Sequence, residues 1–143
     1  MKLNKSQIKD IIPQRDPILL VDEVLEMDPG ISIKSTFFVS PQMDIFKGHF
    51  PENPVLPGVY TVEALAQTSD ILLLSFDKYK GKIPYFIGID GVKFKRKIVP
   101  GDTIFMESKI SKIVEEKSIV SCETEAYVED QLCAIATVTL AMR

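Results

Sequence analysis

The chain of 143 residues contains one histidine, which is the first candidate for chemistry. His49 stands in the run Gly48-His49-Phe50-Pro51, inside a stretch from 40 to 58 that holds four prolines. An imidazole suits general acid–base catalysis near neutral pH, and a proline-rich loop holds it as rigidly as a catalytic base requires. The alternative is an ordinary loop histidine that hydrogen-bonds a backbone carbonyl or faces water.

Glu63 is the second candidate because it interrupts a strongly apolar stretch. It lies in the first turns of a predicted helix whose apolar residues face all sides, which is typical of a buried helix. A carboxyl group in such a place has to be paired or protonated, and a protonated carboxyl can act as a general acid. Gln67, one turn later on the same face, is predicted to orient it. On an ordinary surface helix, Glu63 would instead face solvent or interact with the helix N-terminus.

The start of this helix supplies a third group. Pro57 stands where a missing N–H costs nothing, and Gly58 follows it. The free N–H groups of a helix N-terminus can bind a carbonyl oxygen that gains negative charge. Base, acid and helix end together predict proton transfer beside a carbonyl. Cys122 and Cys133 fall in predicted strands away from this loop, so no thiol nucleophile is expected, and no triad, phosphate-binding glycine motif or metal-ligand set occurs.

The remaining chain has to position these groups. Asn4 and Gln7 form a possible capping pair for a short helix that Pro13 stops. Prolines exclude regular structure between 40 and 58. The predicted long helix covers 59–76, and the predicted strands cover 18–27, 31–39, 85–96, 103–117, 118–128 and 132–142. One buried helix and about six strands joined by short turns predict a single α+β domain over 1–143, with a curled antiparallel sheet wrapped around the helix.

Composition limits the classes of function. The hydrophobic fraction is 45%, the charged fraction is 26% and the formal net charge is -3, which excludes disorder and disfavours nucleic-acid binding. The most apolar region, 55–76, is interrupted by Glu63, Gln67 and Asp70, so no membrane span is expected. The first residues lack the apolar run of a signal peptide, and both cysteines are expected to be reduced. We therefore expect a cytoplasmic protein.

The motifs resemble those of a known family. The run from Gly48 to Val59, Gly-His-Phe-Pro-Glu-Asn-Pro-Val-Leu-Pro-Gly-Val, followed by Glu-Ala-Leu-Ala-Gln at 63–67, resembles the signature of the β-hydroxyacyl-acyl carrier protein dehydratases of type II fatty acid synthesis, the FabZ-type enzymes. Further similar motifs are found at 12–15, 19–22, 86–90, 94–96 and 99–102. The similarity therefore extends over nearly the whole chain.

This resemblance implies a hot-dog fold and the dehydration of a (3R)-3-hydroxyacyl thioester to the trans-2-enoyl thioester. It implies that His49 is the base, that Glu63 is the acid and that the Gly58 N–H binds the thioester carbonyl, with no metal or cofactor. It also implies a homodimer in which His49 faces the partner's Glu63, commonly built into a trimer of dimers. An apolar tunnel for the acyl chain would involve Phe50, Tyr85 and Phe86, with Tyr85 as a mobile gate.

Three positions depart from the family pattern: Gln14 stands where His is frequent, Glu52 where Gly is frequent, and Tyr60 where an aliphatic residue is usual. They leave the acyl-chain preference open. Three alternatives also stay open. A dehydratase that isomerises the double bond typically has Asp in place of Glu63, a hot-dog thioesterase would need an activated water, and a non-catalytic acyl-chain binder would need neither His49 nor Glu63.

A basic segment, residues 93–97, places four cations among five residues: Lys93, Lys95, Arg96 and Lys97. As a strand it would direct the three lysines to one face and Phe94 with Arg96 to the other. Such a segment can simply deter pairing between sheet edges. Alternatively, because acyl carrier proteins are strongly acidic, the resemblance implies that it docks the carrier protein and steers its approach.

Overall fold

The computed structural model describes all 143 residues and consists of one six-stranded antiparallel sheet with a long helix packed against it. The strand order is β1-β2-β4-β5-β6-β3. The helices are α1 (Lys5–Ile11), α2 (Ile45–Gly48) and α3 (Gly58–Leu74), and the strands are β1 (Glu23–Asp28), β2 (Ser32–Phe38), β3 (Pro84–Phe94), β4 (Thr103–Val114), β5 (Ile119–Val128) and β6 (Gln131–Met142). The predicted α+β fold, a curled sheet around a central helix, is confirmed.

Helix α3 forms the centre of the core. Of its 17 residues, 13 are buried, and it contacts β2, β4, β5 and β6. The four residues that are not buried all lie near its beginning: Gly58, Val59, Tyr60 and Glu63. The helix is therefore open to solvent only at its N-terminal end, where the candidate residues lie. No helix of the molecule is both long and apolar enough to cross a membrane.

Four consecutive polar residues interrupt the apolar surface of α3, and each has its own partner. The Thr68 hydroxyl pairs with Ser35 of β2 at 2.8 Å, and Ser69 pairs with Ser108 of β4 at 2.7 Å. The flanking residues Gln67 and Asp70 contact the chain that precedes β1. Buried polar groups are stable when they are hydrogen-bonded, so these pairs join the helix to its surroundings on several sides.

The first strand begins later than predicted. The sequence predicted a strand over 18–27, whereas β1 covers only Glu23–Asp28. Leu19, Leu20 and Val21 are buried as a strand pattern implies, but the backbone there bonds to the Gln67 side chain rather than to another strand. A tertiary contact therefore replaces the ladder that the local pattern indicated.

Other boundaries also differ from prediction, and helix α3 ends at Leu74, two residues before the predicted end at 76. Residues 40–58 are not wholly irregular, because the stretch between the prolines leaves room for the single turn α2. Strand β4 ends at Val114, and a 3₁₀ turn over Glu115–Lys117 leads to Ser118, which takes a left-handed conformation with φ 51°.

Strand β3 ends at Phe94, so the basic segment is not a strand throughout. Lys95 and Arg96 both donate their backbone N–H to the Cys133 carbonyl, at 2.7 and 3.3 Å. The strict alternation predicted for residues 93–97 is therefore wrong.

The β5–β6 hairpin closes where the sequence indicated a turn. Glu129 and Asp130 both have positive φ, 50° and 63°, as the favoured two-residue hairpin turns require. The ladder pairs Cys122 with Val138, five positions beyond Cys133, and both thiols are free. Burial raises the pKa of the Cys122 thiol to about 11, and burial also raises the pKa of Cys133. Both therefore favour the thiol form over the reactive thiolate at neutral pH.

Candidate active site

His49 directly follows the short helix α2 and is half-buried. Its Nδ1 lies 2.9 Å from the carbonyl oxygen of Val55. Because a carbonyl oxygen only accepts, Nδ1 carries the hydrogen and donates. In the neutral imidazole, this leaves Nε2 as an unprotonated acceptor. The plainer alternative predicted a histidine that hydrogen-bonds a backbone carbonyl, and this bond is present. The same bond is compatible with a catalytic base, because it leaves the opposite nitrogen to accept a proton.

The residue after the histidine adopts an unusual backbone conformation. Phe50 has φ 50°, in the left-handed region that bulky residues seldom occupy. Its ring centroid lies 4.6 Å from that of His49, and 65% of the residue is exposed. Backbone strain of this kind persists where the surrounding structure enforces it, and it is concentrated at functional sites.

Glu63 is half-buried on the open end of α3, and Gln67 holds its carboxyl group. The Gln67 Nε2 donates to Glu63 Oε1 at 3.0 Å. Gln67 is fully buried and its amide is fixed by two backbone groups, because Nε2 also donates to the Ile18 carbonyl at 2.7 Å and Oε1 accepts from the Leu20 N–H at 2.8 Å. In this orientation the Gln67 amide presents its NH₂ group, and not its oxygen, to Glu63. The predicted contact between Gln67 and Glu63 is therefore present.

Gly58 begins α3, and its N–H has no acceptor within the chain. The ring of Phe94 lies directly against it: a Cβ built on Gly58 would come within 2.6 Å of the Phe94 Cζ atom. Only glycine therefore fits beneath this ring without displacement. The ring thus packs against the Cα of Gly58, whose free N–H at the start of the helix is suited to bind a carbonyl oxygen.

A groove of about 390 Å³ opens beside this helix end, and we refer to it as the Gly58 groove. It is lined by Gly58, Thr61 and Phe94 together with Val55, Leu56, Lys95, Arg96, Lys97, Ile98, Cys133 and Ala134. The carbonyl of Val55 is the one that His49 contacts. The fold thus brings the candidate carbonyl-binding residue and three of the four basic-segment cations to one groove. None of the ion pairs in the chain involves a residue of the basic segment.

The predicted tunnel residues lie elsewhere on the single chain. Tyr85 and Phe86 are 52% and 37% exposed at the beginning of β3, and neither they nor Phe50 lines the Gly58 groove. No hydrogen bond joins His49 to Glu63 within the chain, since His49 bonds to Val55 and Glu63 to Gln67. Within one chain, the two predicted catalytic residues therefore belong to separate hydrogen-bonded pairs, His49 with Val55 and Glu63 with Gln67. No cluster of three or more His, Cys, Asp or Glu side chains is placed to hold a metal ion.

Sequence reasoning missed two contributors to this site. The backbone of Ile18 and Leu20 fixes the Gln67 amide, and Phe94 covers Gly58. The first pair lies in an apolar run that gives no sign of a polar contact. Phe94 carries a weak sign, because a large aromatic residue among four cations has no apolar neighbours along the chain.

Solved structures of low sequence identity share this fold. The dehydratase heterocomplex ApeI:P from Xenorhabdus doucetiae superposes with a TM-score of 0.78 at 14% identity, covering 95% of this chain and 90% of that chain. A hypothetical thioesterase with coenzyme A from Streptococcus pneumoniae superposes with a TM-score of 0.65 at 11% identity, covering 84% of each chain. At this identity the likeness concerns the fold alone.

Sequence relatives identify the family. Residues 12–137 match the model of the FabA-like domain. The 3-hydroxyacyl-[acyl-carrier-protein] dehydratase FabZ of Listeria monocytogenes is 42% identical over 140 residues, covering 98% of this chain and 96% of the relative. The protein of the same name from Clostridium novyi is 46% identical over 136 residues, covering 92% and 96%. The family predicted from the motifs is confirmed, and the chain belongs to the FabA-like family, with FabZ dehydratases among its similar relatives.

Proposed function

We propose that this chain dehydrates a (3R)-3-hydroxyacyl thioester, carried on acyl carrier protein, to the trans-2-enoyl thioester and water in fatty acid biosynthesis. The activity named for the FabZ relatives supports this enzyme class. The observation that carries the assignment is the carboxyl of Glu63, which the buried Gln67 holds at the same open end of α3 that begins with the free Gly58 N–H. An acid and a carbonyl-binding donor at one helix end are what an elimination beside a thioester needs.

His49 acts as the base. In the neutral imidazole, whose Nδ1 donates to Val55, Nε2 is the acceptor and removes the proton from C2 of the substrate. The electron pair of the C2–H bond moves toward the thioester carbonyl, whose oxygen gains negative charge. The Gly58 N–H donates to that oxygen, in a groove that the ring of Phe94 also lines.

Glu63 acts as the acid. The electron pair returns to form the C2–C3 double bond as the C3–O bond breaks, and Glu63 donates its proton so that water leaves instead of hydroxide. The Gln67 amide stays bonded to one carboxyl oxygen throughout and leaves the other free to reach the substrate. The cycle closes when the proton taken by His49 returns to Glu63 through solvent.

The two groups meet across a homodimer in this proposal. Strand β3 has a hydrogen-bonded neighbour only on its β6 side, and Tyr85, Ile87 and Ile89 on it are exposed. An exposed apolar edge strand is a template for pairing with a second chain. Pairing two copies through β3 would bury these residues together with Phe86 and form the acyl tunnel, with His49 facing the partner's Glu63. Further assembly into a trimer of dimers is part of the same proposal.

The partner that delivers the substrate docks at the basic segment. Lys95, Arg96 and Lys97 line the Gly58 groove, and neither they nor Lys93 forms an ion pair within the chain. Unneutralised cations beside the carbonyl site fit an acidic carrier protein whose acyl arm has to enter there. Two free buried thiols fit the reducing cytoplasm, where we place the enzyme.

A product assay tests the reaction. The protein is incubated with a (3R)-3-hydroxyacyl thioester and, separately, with a 2-enoyl thioester, while the conjugated double bond and free thiol are both measured. Dehydration gives a conjugated product and no free thiol. Free thiol would identify a thioesterase, a shifted double bond would identify an isomerising dehydratase, and the absence of turnover would identify an acyl-chain binder.

Subunit mixing tests the shared site. His49→Ala and Glu63→Gln chains are each inactive in this proposal, but reassorted dimers hold both lesions in one site and an intact pair in the other. Activity should therefore return when the two variants are mixed and exchange is verified by mass spectrometry. A mixed dimer without activity would show that His49 and Glu63 act within one chain.

A further inference from the structure

The inner part of α3 carries a carboxyl group that the proposed chemistry does not use. Asp70 is only 4% exposed and follows Glu63 and Gln67 along one face of the helix. Its Oδ2 accepts one hydrogen bond, from Gln14 Nε2 at 3.3 Å. Asp70 Oδ1 and Gln14 Oε1 are buried and have no partner. Burial raises the pKa of Asp70 well above its usual range, the Gln14 hydrogen bond opposes this in part and the nearby Glu63 adds to it.

The chain before β1 crosses α3 at two points, and we refer to residues 14–20 as the crossing segment. At one end, Gln14 bonds to Asp70. At the other, the Ile18 carbonyl and the Leu20 N–H bond to Gln67. Between these ends the segment is a tight turn, because the N–H groups of Ile18 and Leu19 both donate to the Arg15 carbonyl, at 3.0 and 3.1 Å. A shift at one end is therefore transmitted to the other.

We infer that Asp70 is a positioning residue for Glu63: it anchors Gln14, and the crossing segment thereby holds the Gln67 amide with its Nε2 directed at the Glu63 carboxyl. This inference rests on the proposed function and deepens it. Asp70 does not touch the substrate. It acts through two intermediates, the crossing segment and Gln67, each joined to the next by hydrogen bonds of 3.3 Å or less.

The Gln67 amide would be less constrained without this anchor. Two of its three bonds are to backbone groups of the crossing segment, and the third is to Glu63. If the segment moves away, the amide can rotate and present its oxygen to the carboxyl, which removes the donor that orients Glu63 and lets the amide oxygen bind the carboxyl proton instead. Catalysis depends on position to fractions of an ångström, so Glu63 would lose efficiency as an acid while substrate binding is unchanged.

The alternative is that Asp70 serves only to join α3 to its neighbours. Ser69 provides the matched control, because it is equally buried, is adjacent in sequence and also hydrogen-bonds a different element, but its partner is Ser108 of β4 and not the crossing segment. A structural role alone predicts similar consequences for Asp70→Leu and Ser69→Ala. The positioning role predicts that only Asp70→Leu affects the chemical step.

The experiment measures two properties of the whole 143-residue chain. The first is kcat and KM on a short soluble 3-hydroxyacyl thioester, which does not depend on carrier docking. The second is the hydrogen exchange rate of the Leu20 amide, which donates to Gln67 and reports the crossing segment without any need for activity. The variants are Asp70→Leu, Asp70→Asn, Gln14→Met, the Asp70→Leu/Gln14→Met pair and Ser69→Ala.

For Asp70→Leu we expect kcat to fall about tenfold with KM within about twofold of wild type, since a displaced catalytic group costs rate and not binding. Leu20 exchange should become at least about tenfold faster, as for an amide freed from a local contact. Asp70→Asn should restore both values, because Asn still accepts from Gln14 Nε2 and adds a donor for Gln14 Oε1. Gln14→Met should match Asp70→Leu, and the double variant should be no worse than either alone.

Two results would overturn the inference: unchanged kcat and Leu20 exchange in both Asp70→Leu and Gln14→Met, or an equal loss of kcat in Ser69→Ala. If Asp70→Leu does not fold, Gln14→Met decides alone, because Gln14 is only half-buried. If the wild type has no dehydratase activity, the proposed function fails but the exchange measurement still tests the anchor.

Discussion

The loop that carries His49 and the helix that carries Glu63 are held in opposite ways. The His49 side chain makes one hydrogen bond, from Nδ1 to the Val55 carbonyl, next to a strained and exposed Phe50. Glu63 is bonded to a fully buried amide that two further backbone bonds fix in place. The base is thus set by local chain geometry, whereas the acid is set by the core of the domain. Core substitutions should therefore disturb the acid, and loop or interface substitutions should disturb the base.

The largest effect is expected when either chemical group is removed. His49→Ala and Glu63→Gln should each lower kcat by about 10³-fold, within the range that a positioned acid or base contributes. Both act on one transition state, so the double variant should lose little more than the worse single variant. Thermal unfolding should be nearly unchanged, because both side chains are only half-buried. Near-wild-type turnover in either variant would refute the role given to that residue.

Gly58→Ala tests the packing of Phe94 on Gly58, where the loop ends and α3 begins. Alanine favours a helix more than glycine does, so any loss comes from the contact with Phe94, whose Cζ atom would lie 2.6 Å from the new Cβ. We expect kcat/KM to fall about ten- to a hundredfold, less than the deletion of a carbonyl-binding donor costs. Adding Phe94→Ala should recover part of this loss.

Gly48→Ala is the matched control for this prediction. Its Cβ would meet no atom within 4 Å, so it should leave turnover close to wild type. If Gly48→Ala and Gly58→Ala reduced turnover equally, the packing of Phe94 on Gly58 would have no part in the effect.

Charge reversal in the basic segment should act on substrate delivery and not on either chemical group. Lys95→Glu with Lys97→Glu should raise KM for carrier-bound substrate by about three- to tenfold, because the steering charge is reversed. The short soluble thioester should be nearly unaffected. High salt should reproduce the effect in the wild type, since exposed charges are screened beyond about 8 Å at physiological ionic strength.

Lys112→Glu serves as the control for charge alone, because Lys112 is exposed on β4, forms no ion pair and lies outside the Gly58 groove. It should leave KM for both substrates unchanged. A loss on both substrates, or on neither, after reversal of Lys95 and Lys97 would exclude this segment as the docking site.

The smallest effect is expected from Asp70→Asn, which replaces a buried carboxyl of α3 and should raise the Tm of the protein. Because burial raises the pKa of Asp70 in the folded state, folding is favoured below the unfolded-state value and loses that contribution as pH rises toward the folded-state value. Asp70→Asn removes this loss. Its Tm should exceed that of the wild type at neutral pH by at least about 2 °C, the scale of a fraction of a kcal/mol to one kcal/mol for a domain of this size.

The gain from Asp70→Asn should shrink as the pH falls toward 3.8, the ordinary pKa of an aspartate, and should vanish below that pH, where both states hold the proton. Asp10→Asn, an exposed position on α1, should change Tm little at any pH. A gain independent of pH would show that the Asp70 proton does not contribute.

Much of the fold could be predicted because its signals are local. The Asn4–Gln7 capping box is present with both hydrogen bonds at 2.9 Å, and the 129–130 turn follows from its residue types. The all-round apolar pattern of α3 correctly placed this helix in the core. In each case a few neighbouring residues determine the outcome.

The contacts that assemble the site are not local, so the sequence pattern could not indicate them. Leu20 bonds to Gln67, which lies 47 positions later, and this is why residues 18–21 do not join a strand. Phe94, the last residue of the edge strand β3, contacts Gly58 across a long separation in sequence. Residue types predicted the chemical groups, but the fold decides which neighbours hold them.

The four consecutive polar residues of α3 have a consequence for the uniqueness of the fold. A helix that is apolar on nearly every side packs almost equally well at many angles about its own axis, because apolar contact has little directional preference. Residues 67–70 are successively turned by about 100° and bond to four separate places, at 2.7 to 3.3 Å. A turn of one residue about the axis would break all four pairs and leave their groups buried without partners. These residues therefore set the rotation of α3 about its axis, and with it the direction in which the Glu63 side chain points.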